Sequence, residues 1–251
     1  MSQWNSDNQY QDTIGLNKDQ WAWEFLRRNA AYQKDYQWFI SQWRALEHDY
    51  GAVPHNDLQA WKHDPRSYKI IDIDSEQDGN CAISEDKLLI ECWMGYKWGF
   101  FQFPKDPGLP AIDITTNWRP LAPQKNAVIQ EQMQKPSRLL SERDKTELFM
   151  TSFFDLTKPL KGQLETIKNE VIIAQRRLKQ QGRLTPYTIA GKQALWRLCL
   201  RLLDAQKDNI SESEIQFYFN QDDQSYDLRL IQNEAKHYVD NYLDILTFME
   251  K

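Results

Sequence analysis

The stretch NKDQWAWEFLRRNAAYQKDYQWFISQWRALEHDYG (residues 17–51) decides the fold of this chain. Its first residue, Asn17, is followed three positions later by Gln20, which is the spacing of a helix-capping box. Leu16 before the cap and Trp21 after it are placed to form a hydrophobic staple. These residues predict that a helix begins at Asn17.

The same stretch keeps a helical period up to its end. Gly51 and Pro54 then stop the pattern, and Asn29 is suited to start a second helix after a bend. The apolar residues that recur every three or four positions, with one gap of seven, are Trp21, Phe25, Tyr32, Tyr36, Phe39, Trp43, Leu46 and Tyr50.

Short segments rich in aromatic and β-branched residues follow residue 65 and are separated by Gly, Pro, Asn and Asp. We predict that they form the strands of a small, mostly antiparallel sheet. The segments are YKIIDID (68–74), KLLIECW (87–93), WGFFQF (98–103) and AIDITT (111–116). Residues 117–136, polar and containing three prolines, predict a linker or a surface strap.

A further strand, ELFMTSFFDL (147–156), and an amphipathic helix are predicted next. Pro159 suits the first turn of that helix, which should end near Gly182. Its apolar residues, spaced three and four apart, are Leu164, Ile167, Val171, Ala174 and Leu178. This stripe fits core packing better than a coiled-coil seam, and both interpretations stay open.

Three helices are predicted to close the chain. The first runs from about residue 185 to Lys207. The second is short and ends near Phe219; Ser211 caps it and Glu214 completes a capping box. The third is long, and its apolar stripe consists of Leu228, Ile231, Ala235, Tyr238, Tyr242, Leu246 and Met249.

These elements predict an α+β fold. It has N-terminal helices, a small mostly antiparallel sheet, and a C-terminal helical domain of helix-turn-helix-like or winged type. We divide the chain into an N-terminal domain (residues 1–120), a linker (121–145) and a C-terminal domain (146–251).

Composition excludes several classes of protein. The 251 residues are 41% hydrophobic and 27% charged, which is typical of a globular chain. No apolar run approaches the ~18 residues that cross a bilayer, so we expect no membrane partner. The first residues lack the basic and apolar regions of a secretory signal. Three cysteines without a CxxC motif favour a reducing cytoplasm.

Motifs of catalysis and metal binding are also missing from the sequence. There is no GxGxxG, GxxxxGK[ST], HExxH or GxSxG. His48, His55 and His63 are too widely spaced to share one helix face, and Cys199 sits among leucines like a small core residue. We therefore predict no catalytic residue, no metal and no cofactor.

The net charge of −5 is unevenly distributed. Residues 1–120 carry 12 basic and 18 acidic side chains, a net charge of −6. Residues 121–182 carry 11 and 7, a net charge of +4, and residues 183–251 carry 8 and 11, a net charge of −3. The basic middle permits a local anion-binding face.

The closing helices have the outline of a helix-turn-helix DNA reader. The side chains between the core positions of the third helix include types that pair with bases or phosphates: Arg229, Gln232, Asn233 and Lys236. The alternative is an ordinary polar helix surface, which the neighbouring Asp227, Glu234 and Asp240 favour.

A second basic group lies at the end of the preceding amphipathic helix. Its members, our candidates for phosphate contacts, are Arg176, Arg177, Lys179 and Arg183. Compensation of the helix dipole at a C-terminus is the alternative, and it explains one or two of these four cations.

Several segments resemble known families of regulators. WAWEFLRRNAAYQKDYQWF (21–39) resembles the N-terminal transcriptional regulator-like domain, although Ala30 stands where that family usually has proline. WGFFQFPKDPGLPA (98–111) and TNWRP (116–120) resemble the segment that follows it. FFDLTKPLKGQL (153–164), LWRLCLRLLDAQ (195–206) and ISESEI (210–215) resemble the RovC-type DNA-binding domain.

The resemblance implies a transcriptional activator of type VI secretion genes. Such a protein binds promoter DNA through its C-terminal domain and works as a homo-oligomer, with a hexamer known in the family. Related regulators of mobile elements include antiactivators. The resemblance supplies no catalytic residue, and the DNA-contacting role of Arg229 and Lys236 rests on helical spacing alone.

We therefore expect a sequence-specific DNA-binding activator in the cytoplasm. Its expected partners are double-stranded promoter DNA, further copies of the chain, and RNA polymerase or another regulator. The alternative is a protein-interaction module, an antiactivator or adaptor, which the net charge of −3 in residues 183–251 favours. Nine of the ten tryptophans precede residue 120, and this surplus favours self-association through the N-terminal domain.

Overall fold

The computed structural model describes residues 4–70, 82–84, 86–101, 103–113, 115–119, 152, 154–181, 188–220 and 227–248. Within these ranges the chain is largely helical and carries a small antiparallel sheet, so the predicted α+β class is confirmed. The chain forms two compact units. The first consists of Met1–Leu121 together with Thr188–Lys251, and the second of Ala122–Tyr187.

Two capped helices begin the first unit after a 3-10 helix: α1 (Lys18–Leu26) and α2 (Ala30–Tyr50). Both hydrogen bonds of the predicted capping box are present, because Asn17 accepts from the backbone N–H of Gln20 and donates its own N–H to the Gln20 side chain. Asn29 caps α2 by accepting from two backbone N–H groups. The helix start and the bend predicted from the sequence are both confirmed.

A short helix and a three-stranded sheet follow: α3 (Leu58–His63), β1 (Tyr68–Ile70), β2 (Ala82–Ser84) and β3 (Lys87–Leu89). The central strand is β3, which pairs antiparallel with both others. A fourth helix, α4 (Ile90–Trp98), begins directly after β3.

The predicted strand at 87–93 is wrong beyond residue 89. Residues 90–98 form α4 instead, and Ile90, Met94 and Trp98, spaced four apart on one side of this helix, are all buried. Gly99 ends this helix in the left-handed conformation, at a φ of 71°. A short apolar and aromatic run of this kind is compatible with a strand and with a helix, so its pattern alone does not distinguish the two.

Two further strand predictions fail on the described residues. Within 98–103, the backbone of Phe100 makes only an isolated bridge with Trp118. Residues 111–113 form a 3-10 helix, and Ala111 is buried where this helix lies against α1. Residues 71–74, the second half of the first predicted strand, lie outside the described part.

Three closing helices lie in the first unit as well: α6 (Ile189–Lys207), α7 (Glu212–Phe219) and α8 (Leu228–Asp240). Ser211 caps α7 as predicted. The prediction of a single long final helix is wrong, because α8 ends at Asp240 and a 3-10 helix, Tyr242–Thr247, follows it.

The end of α8 has a local cause. The His237 carbonyl accepts from both the backbone N–H and the side-chain amide of Asn241, whose own backbone has left the helical conformation (φ −127°, ψ 43°). The hydroxyl of Tyr242 then donates to the backbone carbonyl of Trp98 in α4 at 3.0 Å, in a buried position. Tertiary contacts therefore overrule the helical period after residue 240.

The core of the first unit joins the two ends of the chain. Trp196 of α6 is fully buried, and its ring centroid lies 5.1 Å from that of Trp21 and 5.3 Å from that of Tyr238. The predicted boundaries grouped α6 to α8 with the amphipathic helix before them. The contacts instead place these three helices with the N-terminal ones.

The tryptophans of the N-terminal region pack inside this unit. The buried ones are Trp4, Trp21, Trp23, Trp61 and Trp98, and the partly buried ones packed against them are Trp38, Trp43, Trp93 and Trp118. All nine tryptophans are accommodated in or against a core that also includes residues of α6 and α8. The number of tryptophans therefore no longer favours a subunit interface.

The second unit contains α5 (Leu160–Gln180), which Pro159 precedes as predicted. Residues 152 and 154–156 form no strand, and the rest of the strand predicted at 147–156 lies outside the described part. On the predicted stripe only Leu178 is buried, and Leu164 is 47% exposed. Core packing is therefore incomplete along this face within the described residues.

The cysteines differ in state. Cys199 is buried in α6 and donates weakly to the carbonyl of Ile231, so its assignment as a core residue is confirmed. Cys92 is disulfide-bonded. The cysteine count therefore gives no support to a reducing compartment, and the cytoplasmic location stays a prediction.

Candidate nucleic-acid interface

The first group of candidate cations lies at the C-terminal end of α5. Arg176, Arg177 and Lys179 are all exposed, on the solvent-facing sides of this helix. Arg183 lies outside the described residues. Cations at this position also oppose the partial negative charge of the helix terminus.

The charges of α5 differ between its two halves. Near the start, Lys158 pairs with Asp155 at 3.1 Å and Lys168 with Glu165 at 3.5 Å. The three cations at the C-terminal end have no ion pair among the described residues. A phosphate approaching this end therefore meets uncompensated positive charge, which is what nonspecific DNA contacts require.

The second group lies on α8. Its buried residues are Leu228, Ile231, Ala235 and Tyr238, which leaves the intervening side chains on the outer face. There the structure places all four candidates, with Arg229, Asn233 and Lys236 exposed and Gln232 half-buried. The sequence pattern thus predicted the face of the helix correctly.

Two of the side chains on α8 are held by charged neighbours on other helices. The Gln232 amide donates to Glu212 Oε1 of α7 at 3.0 Å. Glu234 pairs with Lys192 of α6 at 3.4 Å. Gln232 would have to give up its bond to Glu212 before its amide could read a base edge.

A surface cleft of about 630 Å³ separates α7 from the start of α8. It is lined by Glu212, Ser213, Gln216, Asp227, Leu228, Arg229 and Gln232. Arg229 shares the cleft with two carboxylates, and Asp227 caps α8 by accepting from the Arg229 backbone N–H. The electrostatics at this end of α8 therefore oppose a phosphate more than those at the end of α5.

Sequence reasoning missed one buried group of charges in the first unit. Arg28, in the turn after α1, donates two hydrogen bonds of 2.8 Å to the carboxylate of Asp204 in α6, and it also pairs with Glu24. The hydroxyl of Tyr10 donates to the same Asp204 at 2.8 Å. The spacing of Glu24 to Arg28 is a local signal that could have been found, whereas Asp204 is too distant in sequence to be paired with them.

In the part of the chain that the structure describes, no three histidine, cysteine or carboxylate side chains are grouped so that they could hold a metal ion. None of the described helices combines the length and the apolarity needed to cross a membrane.

Comparison with protein families gives one match. Residues 3–55 match the proteobacterial transcriptional regulator-like domain. The chain therefore carries a regulator-like domain at its N-terminus, which supports a role in transcription regulation. In the structure this domain spans the first 3-10 helix, α1 and α2, so it includes Arg28 and the aromatic residues that pack against α6.

The match ends before β1, so the regulator-like domain includes neither α5 nor α8. No curated protein and no solved structure matches the chain. The RovC-type resemblance of the later segments and both groups of DNA-contact candidates consequently stay predictions.

Proposed function

We propose that this chain is a sequence-specific DNA-binding transcription regulator that acts on promoter DNA, as an activator of type VI secretion genes. The observation that carries the proposal is the regulator-like domain at residues 3–55. The exposed cations at the end of α5 supply charge for phosphate contacts, and the outer face of α8 carries side chains of the types that read bases.

The proposal includes self-association in the cytoplasm, with RNA polymerase or another regulator as a further partner. Several linked copies raise the effective concentration on one promoter, which compensates for the net charge of −5 of each chain. Light scattering should give a multiple of 29.9 kDa. A mass near that of one chain, with noncooperative promoter binding, would contradict self-association.

The experiment that tests DNA binding is a mobility-shift titration at several salt concentrations. The variant is Arg176→Ala with Arg177→Ala. We expect weaker binding to specific and random duplexes alike, and a salt slope lowered by up to about two, because each phosphate contact releases about one counterion. Surface changes of this kind usually alter stability by less than ~0.5 kcal/mol.

The matched control removes the same charge from the same helix. Lys161→Ala with Lys168→Ala lies nearer the start of α5, where Lys168 already pairs with Glu165. This variant should keep the wild-type salt slope. Equal losses in both variants would show that only total charge matters, and no loss in either would remove α5 from the interface.

A second candidate function is a protein-interaction module that does not bind DNA. Glu212 and Asp227, which share the α7–α8 cleft with Arg229, favour it, because carboxylates at this place suit a basic protein segment better than a phosphate. Wild-type protein that binds no duplex even at low salt would support this alternative.

A further inference from the structure

A second, smaller cavity of about 170 Å³ lies within the first unit and shares no lining residue with the cleft between α7 and α8. Its walls come from the first 3-10 helix, from α1, from α6 and from the turn at residues 110–112. That turn is fixed on α1, since the Ala111 N–H donates to Glu24 Oε1 at 2.8 Å and the Ala111 carbonyl accepts from the Gln20 side chain. The cavity therefore has a fixed frame. A water molecule takes about 30 Å³ of liquid, so there is room for one small organic molecule.

One cation in the wall of this cavity is only partly satisfied. Arg27 donates from Nε to Glu24 at 2.8 Å, but its two Nη groups have no hydrogen-bond partner among the described residues. Its side chain is 20% exposed. Its neighbour Arg28 is bonded to both Glu24 and Asp204, so neither carboxylate is left for Arg27 alone.

One anion in the same wall also has no ion-pair partner among the described residues. Asp12, at the end of the 3-10 helix, is exposed and lines the cavity. Within the described part of the chain its carboxylate forms no ion pair, with Arg27 or with any other cation. The cavity thus presents a guanidinium fork and a separate carboxylate that do not neutralise each other.

The rest of the wall is mixed, because the polar side chains of Tyr10, Thr13, Glu24, Arg28 and Asp204 share it with a few apolar ones. Leu16, Pro110 and Ile112 line the cavity between these polar groups. Ile112 is 56% exposed, which is a large value for an isoleucine that borders a cavity. An aliphatic group bound there would cover this side chain and gain free energy from burial of apolar surface.

We propose that this cavity binds a small aliphatic α-amino acid. The ligand's carboxylate accepts from the Nη groups of Arg27, its ammonium group donates to the carboxylate of Asp12, and its side chain packs against Leu16 and Ile112. The guanidinium of Arg27 and the carboxylate of Asp12 carry opposite charges, so a ligand that pairs with both must carry both charges itself. Planar guanidinium groups also bind carboxylates in a bidentate manner.

The electrostatics of Arg27 agree with this assignment. Burial lowers the pKa of its guanidinium, and the adjacent Arg28 lowers this pKa further, against the opposing effect of Glu24. A cation in such surroundings is incompletely compensated. A ligand carboxylate would supply the missing negative charge.

Binding at this place has a structural consequence. The cavity lies between the regulator-like domain, which contributes Asp12 and Arg27, and α6, which contributes Asp204. A bound amino acid would therefore favour the packing of the N-terminal helices on the closing ones. Its use as an effector rests on the proposed function, whereas the binding itself does not.

The test is isothermal titration of the full-length protein with glycine, L-alanine, L-valine and L-leucine. Two analogues of valine each carry one of its charges: 3-methylbutanoate has only the carboxylate, and isobutylamine has only the ammonium group. We expect at least one amino acid to bind with 1:1 stoichiometry, and L-valine to bind at least tenfold more tightly than either analogue. Melting temperature should rise with the concentration of the bound amino acid.

Variants locate the site. Asp12→Asn and Arg27→Gln should each weaken binding at least tenfold, and Lys34→Gln, an exposed change on α2, should not. Asp12 is exposed, so its variant tests the site even if Arg27→Gln proves unstable. The proposal is overturned if no amino acid binds at millimolar concentration, if both analogues bind as well as valine, or if Asp12→Asn has no effect. DNA binding is measured separately, so its failure leaves this result unchanged.

Discussion

At the scale of single residues, Asp204 ties the two ends of the chain together. Its carboxylate accepts two hydrogen bonds from Arg28 and one from Tyr10, and its side chain is only 18% exposed. Arg28 is likewise 10% exposed. Charges removed from water in this way stabilise the fold only while both partners are present.

Asp204→Asn should therefore destabilise the protein by about 3 kcal/mol, because Arg28 loses a charged partner while it remains buried. Urea unfolding monitored by tryptophan fluorescence measures the loss. Asp240→Asn, at an exposed position near the end of α8, is the control and should change the free energy of unfolding by less than ~0.5 kcal/mol. Equal effects of the two changes would contradict a structural role for the ion pair.

The loss of unfolding free energy in Asp204→Asn should depend on pH. Burial alone would raise the pKa of Asp204, but its hydrogen bonds to Arg28 and the positive charge of that residue hold the pKa below its ordinary value. A carboxyl group whose pKa is lower in the folded state contributes stability above its unfolded pKa of about 3.9. That contribution is lost as the pH falls through the folded pKa. The difference between wild type and Asp204→Asn should accordingly be largest near neutral pH and shrink under acid conditions.

Single residues also show what the sequence can predict. The caps at Asn17, Asn29 and Ser211 are correct because a capping side chain bonds to backbone only two or three residues away. The pair of Arg28 and Asp204 could not be predicted, because nothing local distinguishes these charges from solvated ones. Likewise, Arg27 and Asp12 are recognised as parts of one cavity wall only once the folded structure brings them together.

At the scale of elements, the relation between α7 and α8 decides whether α8 can read DNA. Glu212 holds Gln232 and places a negative charge beside Arg229. If α8 enters the major groove, Glu212→Gln should strengthen binding to duplex DNA, because a repulsive charge is removed and the Gln232 amide is less firmly held. We expect an increase in affinity of about threefold to tenfold, measured by fluorescence anisotropy.

Glu214→Gln provides the matched control for this variant. Glu214 lies in the same first turn of α7 and is exposed, but it does not line the cleft. An equal gain from both changes would indicate only a general effect of net charge. A loss of affinity in Glu212→Gln alone would show that the cleft needs its carboxylate and would favour the protein-interaction alternative.

Elements differ in how well the sequence predicts them. Helices with a regular apolar period, such as α2 and α5, are correct within a few residues. The strand prediction is wrong at 90–93 and 111–113, because β-branched and aromatic residues favour strands locally, whereas both segments are helical in the structure. The outer face of α8 was predicted correctly, but the carboxylate of Glu212 comes from α7, and its contact with Gln232 could not be predicted from the sequence of α8.

At the scale of the whole molecule, the N-terminal and C-terminal parts of the chain fold together into one compact unit. The first unit contains both Met1–Leu121 and Thr188–Lys251, while Ala122–Tyr187 forms a unit of its own. A division into successive domains is the natural expectation from composition, because proline-rich polar residues at 117–136 look like a linker. The actual grouping depends on contacts such as that of Trp21 with Trp196, which are remote in sequence.

This grouping predicts how fragments behave. A fragment of residues 1–121 lacks Trp196 and Tyr238, against which Trp21 and Phe25 pack, and it leaves Arg28 without Asp204. We expect it to unfold without a cooperative transition in urea, because a large apolar surface and a buried charge lose their partners. Successive independent domains would instead give a cooperative transition for this fragment.

Complementation makes the test decisive. Residues 188–251, added to the fragment of residues 1–121, should restore a cooperative transition and quench or shift the tryptophan fluorescence, because the two pieces together contain the whole first unit. The longer piece 146–251 should do the same, since it includes α6 to α8. As a control, residues 122–187 should leave the first fragment unchanged, because they belong to the other unit. If residues 146–251 fold cooperatively alone and do not associate with residues 1–121, the closing helices form an independent domain and the shared core is wrong.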